Sequence, residues 1–381
     1  MKIRSVILRV LIFVITVSSC SINISQPSGI TTSPPVVTVP SAVPASALPE
    51  GSITQQSPNT IPSLPTTTLP VTWAELNLSG KLVYTSAVFQ GQSILMDIRS
   101  LDLMTGVVTM IFQTSNRGLI DSVAVSPDSK QLLLSYAPPI SLGFGGPRAL
   151  YTMSLDGSKA PQLLFTPASP DDEYFQPEWS PDGKYVYFTD LNNQSYITDV
   201  WRMPYPDGEP EKLADHATWP RVSGDGTRLV YVWINPDTGG NRLVLANTDG
   251  TDARKVSLKG VSITIIDAPM FSADNQSIIF SSPVGLKASA PNWIDKLLGV
   301  QVVYANGSLL SDWWSVPATG GKVKRLTNIL SSALFGTFSP DRKHIASYST
   351  NGIFVMKPDG TEVTMVVHDV GGIPGTVSWV P

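Results

Sequence analysis

The sequence predicts an all-β protein built from repeated four-stranded antiparallel units, six of them, set in a ring. Three observations carry that prediction: a hairpin motif that recurs five times, a strand-and-turn motif that recurs six times, and a sixth hairpin whose halves stand at opposite ends of the repeating body.

The hairpins are "VAVSPDSKQLLLSY" (123–136), "PEWSPDGKYVYFTD" (177–190), "PRVSGDGTRLVYVW" (220–233), "PMFSADNQSIIFSS" (269–282) and "GTFSPDRKHIASYS" (336–349). Each joins an apolar strand to an alternating strand through a four-residue turn. In residues 180–183 the turn chemistry is explicit. Ser180 opens the turn, Pro181 presets φ, Asp182 tolerates the next position, and Gly183 supplies the left-handed residue of a type I turn with a G1 bulge. Asn275 also suits the left-handed position, whereas Ser129 and Arg342 should fit it less easily.

The strand-and-turn elements follow at a regular remove: "LMDIRSLDLMTG" (95–106), "RALYTMSLDG" (148–157), "DVWRMPYPDG" (199–208), "RLVLANTDG" (242–250), "SDWWSVPATGG" (311–321) and "GIFVMKPDG" (352–360). A fourth strand comes after the turn, as in "EPEKLA", "ARKVSL" and "KVKRLT". A four-stranded unit every 40 to 50 residues is the pattern of a β-propeller blade.

The sixth hairpin is divided. "SGKLVYTS" (79–86) places Gly80 and Lys81 where Gly183 and Lys184 stand, while Trp379, Val380 and Pro381 match Trp179, Ser180 and Pro181. The C-terminus is therefore expected to provide the innermost strand of the blade that begins near Gly80. The turns fall at 126, 180, 223, 272, 339 and 380, in steps of 54, 43, 49, 67 and 41, so the blades are alike in size except the one beginning near 272. Six blades joined head to tail leave no free sheet edge around the axis.

These motifs resemble the TolB-type, WD40-like propeller repeats, whose hallmark is an apolar or aromatic residue followed by Ser-Pro-Asp-Gly-Lys and an alternating strand. The resemblance runs from about residue 79 to 381; "WSPDGK" (179–184) is a close match and the other copies depart at one or two positions. It implies six blades, a central channel and an extracytoplasmic setting, where related propellers bind proteins or small ligands. It carries no catalytic residue across. Related peptidase propellers bear an α/β-hydrolase domain, but no Gly-x-Ser-x-Gly nucleophile elbow occurs here.

The N-terminus predicts export. "MKIRSVILRVLIFVITVSSC" has a basic start, an apolar stretch from about Val6 to Val17, two small residues and Cys20, the single cysteine of the chain. Residues 17–20 resemble the lipobox of bacterial lipoproteins, so residues 1–19 are expected to be a signal peptide and Cys20 the lipidated new N-terminus. Acyl chains anchored at about 0.8 kcal/mol per buried methylene would hold the protein durably on a membrane, without a span, on the extracytoplasmic side of the cell envelope. Residues 20–72 form a Pro/Ser/Thr-rich tether in which Glu50 is the only charged residue. Polyproline-like geometry gives such a segment a reach on the order of 150 Å. Residues 73–381 are the propeller, with an insertion at about 286–310.

Composition narrows the partners. Charged residues are sparse, at 15%, and the formal net charge of −4 falls to about −7 once Lys2, Arg4 and Arg9 leave with the signal peptide, so nucleic acid is excluded as a natural partner. His216, His344 and His368 occupy different template positions and do not form a metal triad, and the hairpin aspartates Asp128, Asp182, Asp225, Asp274 and Asp341, like Asp249 and Asp359, read as turn residues rather than calcium ligands. "LGFGGPR" (142–148) lacks the following helix a phosphate loop needs and reads as an outer loop. No cofactor is expected, and the chain is expected to be a monomer.

In a propeller, the loops leading into the innermost strands surround one mouth of the channel. That topology places Asp121, Gln176, Glu178, Trp219, Arg221 and Asp267 near the mouth, a mixture of charge and aromatic surface suited to a polar ligand. Within the insertion, "NWIDKLLGVQVVY" spaces Trp293, Leu297 and Val300 as one apolar helical face, a candidate contact for a partner. The expected function is a binding scaffold for a protein partner or an envelope-associated ligand. The alternative is a propeller hydrolase or lyase in which carboxylates such as Glu178 and Asp267 converge on a metal in the channel.

Overall fold

Alternating apolar strands punctuated by Asp- and Gly-bearing turns fold into six four-stranded antiparallel sheets. The computed structural model describes residues 73–91, 93–115, 117–140, 145–284 and 309–381. The chain divides into two units, Met1–Pro70 and Val71–Pro381, and all described residues belong to the second. The tether, Cys20 and the insertion residues Trp293, Leu297 and Val300 lie outside the described residues. Among those described, no helix is long and apolar enough to cross a membrane.

From inner to outer strand, blade 1 consists of Val377–Val380, Lys81–Gln90, Ser93–Asp102 and Val108–Gln113. Blade 2 holds Leu119–Val125, Gln131–Ala137, Ala149–Ser154 and Gln162–Phe165; blade 3 holds Asp172–Trp179, Tyr185–Asn192, Ile197–Pro204 and Glu211–Ala214. Blade 4 follows with Ala217–Val222, Arg228–Ile234, Asn241–Asn247 and Arg254–Lys255, and blade 5 with Asp267–Phe271, Ser277–Pro283, Ser311–Pro317 and Lys324–Arg325. Blade 6 is Phe335–Phe338, Ile345–Ser349, Gly352–Met356 and Thr364–Val367. A short parallel ladder, Leu258–Lys259 with Gly321–Lys322, stitches blade 4 to blade 5.

Blade 1 takes its inner strand from the C-terminus: Lys81, Leu82, Val83 and Tyr84 pair with Val380, Trp379, Ser378 and Val377. Burial follows the same plan around the ring. Among the described residues there are six apolar clusters, and each fills the gap between two consecutive blades. The cluster between blades 6 and 1 gathers Leu82, Tyr84, Leu101, Tyr348, Ile353, Val377 and Trp379. The inner strands touch their neighbours in the sequence of the blades, from blade 1 to blade 6 and back to blade 1.

One device holds the five contiguous hairpins. The hydroxyls of Ser126, Ser180, Ser223, Ser272 and Ser339 each donate to the aspartate two residues on, at 2.5–2.7 Å. The same oxygens accept the backbone N–H five residues on, at 2.9–3.0 Å. These hydrogen bonds hold the carboxyls of Asp128, Asp182, Asp225, Asp274 and Asp341 below the usual carboxylate range. Gly183, Gly226, Asn275, Ser129 and Arg342 all adopt the left-handed conformation, with φ between 56° and 71°. Ser129 and Arg342 thus complete the same turn as glycine. The serine–aspartate pair on one side and the strand ladder on the other leave the backbone no alternative path, and the strain of a non-glycine residue is absorbed there.

A second device alternates around the ring. Asp97, Asp199 and Asp312 stand at one template position in the third strands of blades 1, 3 and 5, just before the fully buried Ile98, Val200 and Trp313. Asp97 accepts from Arg99 and Gln113, Asp199 from Lys212 and the His216 backbone, and Asp312 from Arg325, Thr327 and the Ile329 backbone. In each case the carboxylate ties its strand to the outermost strand of the blade or to the residues just beyond it. Asp97 and Asp312 are fully enclosed, so these charge-assisted bonds replace the water they have lost.

Candidate functional site

The first residues of the inner strands do not run straight. In blades 2 to 5 the ladder between inner and second strand slips, at Ile120/Ser122, Phe175/Glu178, Thr218/Arg221 and Asp267/Met270. Gln176, Trp219 and Ala268 sit at these bulges with positive φ, each immediately before a proline that cannot donate to the ladder. A bulge re-aims side chains, and here it turns the starts of the strands toward the axis.

The result is a cavity of about 130 Å³ to which every blade contributes. Blade 2 gives Asp121 and Ser122, blade 3 Gln176, blade 4 Trp219, and blade 5 Asp267, Ser281 and Ser311. Ala333, Leu334 and Phe335 close it from blade 6, and Pro374, Gly375 and Thr376 from the approach to the C-terminal strand. A ring of six inner-strand starts around one cavity puts it on the propeller axis.

Hydrogen bonds fix its walls. The Gln176 side-chain oxygen accepts from the Trp219 backbone N–H at 2.9 Å and from the hydroxyls of Thr189 and Thr218 at 2.7 and 2.9 Å, so blade 3 holds the tryptophan of blade 4 in place. Ser122 donates to the Asp121 carboxylate at 2.9 Å and accepts the Gln176 backbone N–H. Thr376 binds both backbone groups of Val123, at 2.8 and 3.1 Å, which carries the network from blade 1 into blade 2. Burial pushes the Asp121 carboxyl up; Arg148 pulls the other way, but its guanidinium is engaged by Glu173 at 2.7 Å.

Four of the six residues expected at the channel mouth therefore line one cavity: Asp121, Gln176, Trp219 and Asp267. Glu178 and Arg221 stand two residues further along their strands and pair with each other across blades 3 and 4, at 3.5 Å. Arg221 also donates to the Gly336 carbonyl and lies 4.9 Å from the centre of the Phe335 ring. Burial raises the Glu178 carboxyl against the pull of Arg221. The two form a lower tier that supports Phe335, while the cavity is the upper tier. Ser281, Ser311 and Phe335 were not among the expected residues: Ser281 lies within the second strand of blade 5, Ser311 opens its third strand and Phe335 opens the inner strand of blade 6. Among the described residues no group of three or more His, Cys, Asp or Glu side chains is placed to hold a metal ion.

No protein-family model and no curated protein sequence matches the chain. Solved structures do. TolB from Acinetobacter baumannii superposes with a TM-score of 0.55 at 16% identity, over 79% of this chain and 67% of that one. It has the TolB-like propeller fold. A TolB-type protein from Agrobacterium tumefaciens gives 0.50 at 18% identity, over 79% of this chain and 99% of that one. A chain of the nidogen–laminin complex gives 0.51 at 12% identity, over 78% and 98%. At these identities the TolB-like likeness is one of fold.

Proposed function

We propose that this TolB-like propeller is a non-catalytic binding scaffold, held on the extracytoplasmic side of a bacterial envelope by lipid on Cys20, with the axial cavity as its recognition site for a protein partner. The observation that carries the reading is the cavity itself: a prebuilt, hydrogen-bonded recess that all six blades share, with Trp219 in its wall. Preformed concave sites with an aromatic anchor and a few fixed polar groups suit recognition at low ordering cost. Support comes also from one of the similar folds, whose structure is that of nidogen in complex with laminin. Glu178, one of the two acids a metal-dependent enzyme would draw on, is committed to Arg221.

The test is capture from an envelope extract. Wild type should retain a partner that Trp219→Ala loses, and Cys20→Ser should move the protein from the membrane to the soluble fraction. If Trp219→Ala keeps every captured protein, the cavity is not the contact; parallel loss on deleting residues 286–310 would shift the contact to the insertion.

A further inference from the structure

We infer that blade 1 carries a second binding site, a recess that takes the main chain of an extended polypeptide between the second strand of the blade and the turn at 369–371. The recess shares no lining residue with the axial cavity, and the inference does not rest on the reading above.

Blade 1 is unevenly built. Its second strand, Lys81–Gln90, has ten residues, but the inner strand Val377–Val380 pairs only with the first four of them. In blade 2 the corresponding strands have seven and seven residues, and in blade 3 eight and eight. Alternate residues of an antiparallel strand point their N–H and C=O groups to the same edge. Beyond Tyr84, the chain leading to the C-terminal strand supplies two carbonyls to that edge of blade 1. The Thr85 N–H donates to the Thr376 carbonyl at 3.2 Å, and the Ala87 N–H to the Val370 carbonyl at 3.0 Å. Phe89 is next in the row. Its N–H meets no main-chain acceptor among the described residues, and Phe89 lines the recess with Ser86, Ala87, Arg99, Asp369 and Gly371. Gly371 brings the facing turn close: its φ is 83°, and a Cβ there would lie 2.2 Å from the Ala87 carbonyl oxygen.

A buried hydroxyl points to a missing partner. Ser86 is 1% exposed, and its Oγ has no hydrogen-bond partner among the described residues. The ladder sets Ser86 opposite Asp97 and Tyr84 opposite Arg99, so the Ser86 hydroxyl and the Arg99 side chain share the face that borders the recess. Arg99 brings further donors. Asp97 takes its Nε and Nη2 at 3.0 and 2.5 Å and the Tyr84 hydroxyl bonds it too, which leaves N–H groups over from the five of a guanidinium. Asp97 also balances its charge. Across the recess Asp369 is an acceptor, one oxygen held by the Gly371 N–H at 2.8 Å. A free carboxylate would meet Asp369 and an ammonium would meet Arg99. A group that accepts and donates side by side without net charge is an amide, and main-chain amides already fill the two rungs below. The volume of about 430 Å³ is far more than the roughly 10–15 Å³ that one water requires, and admits a short stretch of chain.

The experiment is a nuclear magnetic resonance titration of the full chain, in detergent, following the backbone amide signals of Phe89 and Gly371. The probes are the pentapeptide Thr-Val-Gln-Val-Thr blocked at both ends, the same peptide N-methylated at two consecutive central amides, and methyl β-cellobioside. One of two consecutive amides must face the strand, so the methylated peptide should bind at least tenfold more weakly than the parent, a readout that needs no variant. Ser86→Ala should weaken the parent peptide about fivefold, or about 1 kcal/mol, and leave the melting temperature unchanged or higher, because the hydroxyl bonds nothing within the fold. Equal binding of the two peptides overturns the main-chain pairing. Parent binding unchanged in Ser86→Ala overturns the placement of the site. Signals that move with the cellobioside and not with the peptide overturn the assignment to a polypeptide, and signals that respond to no probe overturn the site altogether. Capture by Trp219→Ala reads the axial cavity alone, so each of these failures leaves the reading of that cavity standing.

Discussion

Trp379→Ala tests whether the last strand holds the ring. Trp379 is 8% exposed, packs in the cluster between blades 6 and 1, and donates its indole N–H to the Ser79 carbonyl at 3.0 Å. Trp179 is its counterpart in blade 3: it is 7% exposed and donates to the Ala124 carbonyl at 3.3 Å. Truncating a buried tryptophan to alanine costs about 3–5 kcal/mol. Unfolding entropy near 2.1 cal/mol/K per residue, over the unit Val71–Pro381, converts 4 kcal/mol into a fall in melting temperature of about 6 °C. Trp179→Ala provides the reference, because the same substitution there removes the same kind of contacts within a continuous stretch of chain. Circular dichroism melts and urea titrations of wild type and both variants give the comparison. A loss below about 1 kcal/mol in Trp379→Ala, alongside a full loss in Trp179→Ala, would mean that the C-terminal strand is not integral to blade 1.

Two further outcomes concern titration. Burial, with help from Asp172 and Asp199, raises the Asp190 carboxyl to about 7, against the opposing pull of Lys212. A carboxyl raised in the folded state contributes stability that is present below its unfolded value near 4 and lost as pH rises through 7. Asp190→Asn should therefore flatten stability between pH 4 and 8 and raise the urea midpoint at pH 8; a midpoint unchanged there refutes the assignment. The opposite sign holds for Asp225, kept at about 2 chiefly by the Ser223 hydroxyl: its contribution is present above about pH 4 and lost as pH falls toward 2. Ser223→Ala should cost about 1–2 kcal/mol at pH 7 and return the Asp225 carboxyl toward its ordinary value, read by carbon-13 titration.

The blade plan was legible because each turn announces itself chemically. Ser180, Pro181, Asp182 and Gly183 specify a hairpin by local rules, and the same serine–aspartate pair persists where glycine is replaced by Ser129 or Arg342. The split motif was legible for the same reason: Trp379 occupies the register of Trp179. Depth along the axis was harder to read. Gln176 and Glu178 look equivalent in the sequence, two residues apart on one strand, yet the bulge at residues 175–178 separates a cavity wall from an inter-blade ion pair. The three prolines that follow Gln176, Trp219 and Ala268 were the local signal of that bulge. Asp97, Asp199 and Asp312 passed unremarked because a lone aspartate early in a strand looks like a solvated residue until its partner on the outer strand is known. Ser281 and Ser311 reach the cavity only through tertiary geometry, and no spacing rule finds them.

The contact between Trp379 and Ser79 spans 300 residues of chain. Synthesis proceeds at roughly 5–20 residues per second, so the first sheet waits on the order of 15–60 s for its partner strand. Throughout that interval the backbone of Lys81–Gln90 presents an unpaired, apolar rim to whatever lies nearby. The architecture thus makes Val377–Val380 the gatekeepers of maturation, and a ribosome that stops short of them leaves a molecule with five finished blades and one adhesive edge.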